Sequence, residues 1–214
     1  MNALLQAMQP LLAEAFSVWG SPITWLEIVA FALAVAMVVF NIRVNPIAWP
    51  LAIASSLMYF VLFWNGRLYG EASLQIVFAS VSVWGWWQWL RGTGDDGQPL
   101  RVRLLSPRGR VAVAGLALLA WPLLGLFLDH ATDTDVPYWD AFPTAGSLAG
   151  QWLLGRKYVE NWPTWIVVDA VSMSLFAWKG FWLTVVLYGL FTLMAVAGWR
   201  AWAALAAAPR AARG

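Results

Sequence analysis

Cysteine is absent from this chain, histidine occurs once, and charge is scarce; each shortage removes a class of chemistry. Without cysteine there are no disulfides and no thiolate metal sites. The lone His130 stands in DHATDTD, a run that reads as a solvated loop and not as a ligand set. No metal and no redox cofactor is expected, and the cofactor expectation is none. Charged residues make up 11% of the 214 positions, against roughly 25% in a soluble domain. Also missing are a P-loop G-x-x-x-x-G-K-[ST], an H-x-x-x-H pair, a paired aspartate motif and a Ser/His constellation, so neither nucleotide hydrolysis nor another enzymatic role is indicated.

What fills the sequence instead is apolar surface: 61% of residues are hydrophobic, 17 of them tryptophan, and the mean hydropathy is +0.66. Runs of about 20 apolar residues recur, and inside hydrocarbon the backbone must satisfy its own polar groups, which helices do. The expected class is an all-α integral membrane protein. The net charge of +2 does not argue for nucleic acid, because the basic residues flank apolar runs, where they set orientation. The N-terminal MNALLQAMQPLLAEAF has no basic n-region and carries Glu14, so it reads as a retained, short interfacial helix and not as a cleaved signal.

Hydropathy predicts seven transmembrane helices at about 23–44, 47–64, 72–90, 111–128, 141–156, 164–178 and 181–205. Pro46, Pro50 and Pro163 mark helix starts, and Gly66 and Gly180 mark turns. The connection 91–110 carries Arg91, Arg101, Arg103, Arg108 and Arg110, whereas the following one, DHATDTDVPYWD, carries four aspartates and no Lys or Arg. The positive-inside rule then puts the N-terminus outside and the C-terminus in the cytoplasm, with 11 of 13 basic residues inside and only Arg67 and Lys179 outside.

An internal repeat is visible. NPIAWPLAIASSLMYF from Asn45 aligns with NWPTWIVVDAVSMSLF from Asn161, matching Trp49 with Trp165, Ser56 with Ser172 and Phe60 with Phe176. G-W-x-x-W closes both units, at Gly85, Trp86, Trp89 and at Gly198, Trp199, Trp202. Three helices, a linking helix and three more make a 3+1+3 bundle of parallel repeats within one membrane domain: repeat one at about 23–90, the linking helix at 111–128, repeat two at 141–205. Parallel repeats about an axis along the membrane normal are a transporter architecture, with substrate held between the halves.

Helical spacing puts Asn45, Trp49, Ser56 and Phe60 on one face and Asn161, Trp165, Asp169, Ser172 and Phe176 on another, and these two faces are expected to oppose each other. Gln75, Ser82, Trp86 and Trp89 share a third stripe, and Tyr188, Thr192, Trp199 and Trp202 a fourth. Asp169 is the sharpest signal, since a carboxylate at the centre of a spanning helix costs about 2.5–3.5 kcal/mol on insertion scales. It either complements a cationic or hydroxylated substrate or takes a hydrogen bond from a neighbouring helix. Gln75 and Gln151 fit interhelical hydrogen bonding, and Glu27 and Glu71 sit near helix starts, where the dipole tolerates them. The tryptophans of VWGWWQW read partly as an interfacial belt and partly as pocket wall. The candidate site comprises Trp86, Trp165 and Trp199 with Trp49 as ring-stacking or wall groups, Asn45, Asn161, Gln75, Ser56 and Ser172 as polar partners, Asp169 as charge complement, and Tyr59 and Tyr188 as gates.

The stretches NPIAWPLAIASSLMYFVLFWNGRLYGEASLQIVFASVSVWGWWQWLRG and KYVENWPTWIVVDAVSMSLFAWKGFWLTVVLYGLFTLMAVAGWRAW resemble the PnuC family of bacterial vitamin transporters. The resemblance implies a SWEET-like seven-helix carrier of the bacterial inner membrane, often trimeric, working by facilitated diffusion with alternating access. A cytoplasmic kinase would trap the vitamin by phosphorylation. Nicotinamide riboside is the leading substrate, with thiamine or another dephosphorylated vitamin next. A receptor or subunit without transport activity and a membrane enzyme are the readings from other classes.

Overall fold

Long apolar runs with prolines near their starts and few internal breakers should form helices, and among the residues described by the computed structural model they do. Those residues are 9–18, 21–65, 69–94, 96–131, 136–178 and 182–208. Seven long helices follow one another among them: α1 (Trp25–Ile42), α2 (Ala48–Asn65), α3 (Tyr69–Arg91), α4 (Pro107–Ala131), α5 (Pro137–Gly155), α6 (Asn161–Trp178) and α7 (Trp182–Ala207). Each bound lies within a few residues of the sequence-based expectation. α1, α2, α4 and the stretch Thr184–Ala207 of α7 are long and apolar enough to cross a membrane by length and composition. The remaining three are diluted by polar side chains, Gln75 and Gln88 in α3, Gln151 in α5 and Asp169 in α6.

One element was not anticipated. An interfacial helix was expected over residues 1–16; residues 9–12 are helical, but Glu14–Val18 (β1) leaves the helix and pairs antiparallel with Ser21–Thr24 (β2), Phe16 facing Ile23 across the ladder. The first eight residues of that expected helix lie outside the described residues, as do the turn glycines Gly66 and Gly180. The hairpin runs directly into α1. Thr24 caps that helix: its hydroxyl accepts from the Glu27 N–H at 3.2 Å, and Glu27 Oε2 accepts from the Thr24 N–H at 3.3 Å. Glu27 is thus a helix-start residue, as its position implied. His130, expected in a loop, belongs to the last turn of α4 and is exposed, with Nδ1 2.8 Å from the Leu126 carbonyl.

The chain divides into two compact units, 1–86 and 87–214, the division falling within α3. In the first, α1 packs on α2. The Ser55 hydroxyl donates to the Ala30 carbonyl at 2.9 Å, and Trp49 is buried. In the second, α4 packs on α5, α5 on α6 and α6 on α7. Small residues allow the close approaches there: a Cβ on Gly146 would lie 2.5 Å from Val168, and one on Gly150 3.1 Å from the Trp165 ring.

The local geometry of the two units repeats at a spacing of 113 residues. The N–H groups of Arg43, Val44 and Asn45 donate to the carbonyls of Val39, Asn41 and Phe40, and those of Arg156, Lys157 and Tyr158 donate to Trp152, Leu154 and Leu153. Asn45 and Pro46 then receive the N–H groups of Ala48 and Trp49, as Tyr158 and Val159 receive those of Asn161 and Trp162. Val44 (φ 54°) and Lys157 (φ 58°) are non-glycine residues in the left-handed region. Trp49 therefore corresponds to Trp162, and Asn45 to Tyr158. The expected pairing of Asn45 with Asn161 and Trp49 with Trp165 is three residues out of register.

Candidate substrate site

The polar residues of α6 and α7 meet in the second unit. Asp169 is 5% exposed and Ser172 2% exposed, two positions on one face of α6. From α7 Tyr188 stands close to Ser172 and Asp169. The Tyr188 ring packs on Phe176 with centroids 5.4 Å apart. One turn along α7, the Thr192 hydroxyl donates to the Tyr188 carbonyl at 2.9 Å and faces the Met173 sulfur at 3.9 Å. Among the described residues no cation pairs with Asp169. The result is a buried carboxylate beside two hydroxyls and an aromatic ring.

At the 113-residue spacing the matching positions of the first unit are Ser56 for Asp169, Tyr59 for Ser172, Phe63 for Phe176 and Gln75 for Tyr188. Tyr59 stacks on Phe63 with centroids 5.8 Å apart, and Ser56 and Gln75 are half-buried. Each unit thus carries one tyrosine against one phenylalanine, with the tyrosine moved from the first helix of the pair to the second. The carboxylate is present only in the second unit.

Other expected site residues are placed differently. Asn45 is exposed, and its Oδ1 accepts the Ile47 N–H at 3.0 Å, a turn contact that starts α2. Asn161 is fully buried; its Nδ2 donates to the Tyr158 carbonyl at 2.7 Å, while Oδ1 has no partner among the described residues. Trp49 is 1% exposed, and its ring occupies the space where a Cβ on Gly85 would be. Trp86 and Trp199 lie on outward faces, at 37% and 45% exposure, and Trp165 is half-buried against Gly150.

The inward tryptophans are others. Trp89, Trp162 and Trp202 are all buried. Trp202 sits edge-on to Trp162 at 5.6 Å and tilted against Trp89 at 6.1 Å, and Trp89 Nε1 donates to the Leu154 carbonyl at 3.0 Å. The Lys157 ammonium stands 4.9 Å over the Trp89 ring and donates to the Leu100 carbonyl at 3.1 Å. Burial pushes that ammonium below the ordinary lysine range. Next to it Arg156 donates to Gln88 Oε1 at 3.0 Å, and Arg103 donates to the Tyr158 hydroxyl at 2.9 Å while its backbone pairs with residues 157 and 159. Thr93, Leu100, Arg103 and Leu105 of the basic connection therefore rest on the α5–α6 turn. Sequence reasoning passed over Gln88 and Lys157, for which the only advance signal was their closeness to the tryptophan cluster.

Three comparisons bear on this arrangement. The family model described as nicotinamide mononucleotide transporter matches residues 24–204. The chain belongs to that family. Among curated proteins it is 30% identical over 196 residues to the riboflavin/roseoflavin transporter RibM of Streptomyces davaonensis, covering 87% of this chain and 90% of that protein. It is 24% identical over 169 residues to the nicotinamide riboside transporter PnuC of Escherichia coli, covering 68% and 71%. The crystal structure of the vitamin B3 transporter PnuC superposes with a TM-score of 0.70 at 22% identity, covering 85% of this chain and 81% of that one. The PnuC resemblance is thereby shown, and the chain is a multi-pass membrane protein of a vitamin-transporter family.

Proposed function

We propose that the protein carries nicotinamide riboside across the bacterial inner membrane by facilitated diffusion. One observation supports this above the rest: Asp169 is buried beside Ser172 and Tyr188 with no pairing cation among the described residues. A carboxylate left so in a spanning helix needs a charge complement or a hydrated cavity. The pyridinium ring of nicotinamide riboside supplies the charge, and its ribose hydroxyls suit the serine, tyrosine and glutamine of the two half-sites. A phosphorylated nucleotide would need a cation within the bundle. The described Lys and Arg residues lie instead at helix ends or in connections, with Arg200 towards the end of α7.

In this reading the seven helices all span the bilayer as 3+1+3, with the N-terminus outside. The Ser56–Tyr59–Gln75 and Asp169–Ser172–Tyr188 sets face one pathway, and rocking of one repeat against the other exposes it to each side in turn. A cytoplasmic kinase then traps the vitamin. A second reading, a flavin carrier, is favoured by the greater identity and coverage of the riboflavin/roseoflavin relative.

Calorimetry on the purified protein with nicotinamide riboside, thiamine, riboflavin and nicotinamide mononucleotide separates these. Nicotinamide riboside should bind at micromolar concentration or tighter, and Asp169→Asn should weaken it at least tenfold, on the order of 1.4 kcal/mol. Riboflavin binding alone, unaffected by Asp169→Asn, would replace the first reading with the second.

A further inference from the structure

Away from the α6–α7 polar cluster, the second unit holds a groove of about 460 Å³ between α4, α5 and α6. Its floor is made of the smallest side chains on two helices: Ala114 and Ala117 on α4, and Ala145, Gly146 and Ala149 on α5. Leu118, Phe142 and Val167 form its walls. At one end stands Trp121, its Nε1 donating to the Tyr138 carbonyl at 2.6 Å and its ring edge-on to Phe142 at 5.2 Å. At the other end is the Arg110–Glu160 ion pair, at 2.8 Å. The groove is nearly all apolar, and α4 is one of the helices apolar enough to cross a membrane.

Arg110 and Trp121 are eleven residues apart on one helix, a rise of about 16 Å at 1.5 Å per residue. That is close to half of a hydrocarbon core roughly 30 Å thick. The groove thus has the length of one leaflet, with its charged end at the membrane surface. Its charge also has a direction. Both Glu160 oxygens are engaged: Oε1 takes Arg110 Nε at 2.9 Å and Nη2 at 2.8 Å, and Oε2 takes the Leu105 N–H at 3.0 Å. Arg110 keeps further N–H donors and is half exposed. With both carboxylate oxygens engaged, these free guanidinium donors are what the mouth offers, and basic pockets between helices suit anionic lipid headgroups.

We infer that this groove is a binding site for one anionic phospholipid, an acyl chain lying between Arg110 and Trp121 and its phosphate on Arg110. Bound lipid fills space that the alanines leave open.

The test uses the full chain, delipidated in detergent and titrated with phosphatidylglycerol or phosphatidylcholine under native mass spectrometry. One phosphatidylglycerol per chain should be retained in preference to phosphatidylcholine, with inorganic phosphate failing to displace it. The double substitution Ala117→Phe, Ala149→Phe should lower retention at least tenfold. Arg110→Gln should abolish the headgroup preference while leaving chain occupancy. A measurement that needs no core change is quenching by phosphatidylglycerol brominated on its acyl chain: Trp121→Phe should lose a quenched component that Trp87→Phe and Trp199→Phe, on exposed faces, keep. Equal retention by the filled variant, quenching unchanged in Trp121→Phe, displacement by phosphate alone, or a shift in oligomeric mass on filling the groove would each overturn the assignment, the last by making a second copy the occupant.

Discussion

Among the described residues a tryptophan ring lies against a glycine three times, most tightly Trp49 on Gly85 and Trp162 on Gly198 and less so Trp165 on Gly150. A Cβ at Gly198 would stand 2.6 Å from three ring atoms of Trp162, itself fixed edge-on to Trp202. The rings cannot yield without disturbing the buried cluster, and overpacking of this kind costs typically 1–3 kcal/mol. Gly198→Val and Gly85→Val should each lower the thermal unfolding midpoint in detergent, whereas Trp199→Phe, on an outward face, should leave it nearly unchanged. At this scale the sequence was legible for chemistry and poor for direction. Asp169 announced itself because a carboxylate inside an apolar helix is rare. Trp86 and Trp89 are three residues apart in one aromatic run, and nothing in their letters separates the exposed ring from the buried one. The glycines opposite Trp49 and Trp162 carry that information, and it appears only once the helices are packed.

Among elements, the two helix endings at Arg43–Asn45 and Arg156–Tyr158 share a hydrogen-bond pattern and a left-handed residue. Val44 is β-branched, the side-chain type least suited to φ 54°. Non-glycine residues lose about 1–2 kcal/mol there. Val44→Gly should therefore stabilise the protein by about 1 kcal/mol, net of the extra freedom glycine gains in the unfolded chain. Calorimetric unfolding of the variant checks it, and a drop in stability would mean that Val44 packing outweighs the backbone strain. Lys157 offers no such clean test, since its ammonium also holds Trp89 and Leu100. Helix bounds were legible because proline and long apolar runs punctuate them. The hairpin at Glu14–Thr24 was not, because Phe16, Val18 and Ile23 supply too short an alternation to outweigh a helical reading of the preceding residues. The pairing of Arg103 with Lys157 and Val159 was hidden for another reason: contacts made by backbone leave no letter behind.

On the scale of the whole molecule, the likeness of the two stretches was legible in the letters, and the geometry of the two helix endings shifts its register. Matching Asn45 with Asn161 follows identical letters, but hydrogen bonds, helix ends and the Trp-on-Gly contacts all agree on 113, at which Arg43, Trp49, Pro50, Phe63 and Gly85 meet Arg156, Trp162, Pro163, Phe176 and Gly198. Backbone geometry constrains every residue of a turn, whereas an asparagine recurs by chance. At that spacing Ser56, Tyr59 and Gln75 correspond to Asp169, Ser172 and Tyr188, so the matching position in the first unit carries a neutral serine where the second unit carries a carboxylate. In the proposed function a single buried carboxylate, Asp169, is a slender basis for coupling to an ion gradient, and uniport is the mechanism proposed. Uptake of labelled nicotinamide riboside into proteoliposomes tests this most directly. Without any ion gradient, entry should proceed until the inside concentration equals that outside, and rise beyond it only when kinase and ATP are enclosed. Absence of entry, or accumulation that requires a proton or sodium gradient, would contradict uniport of this vitamin.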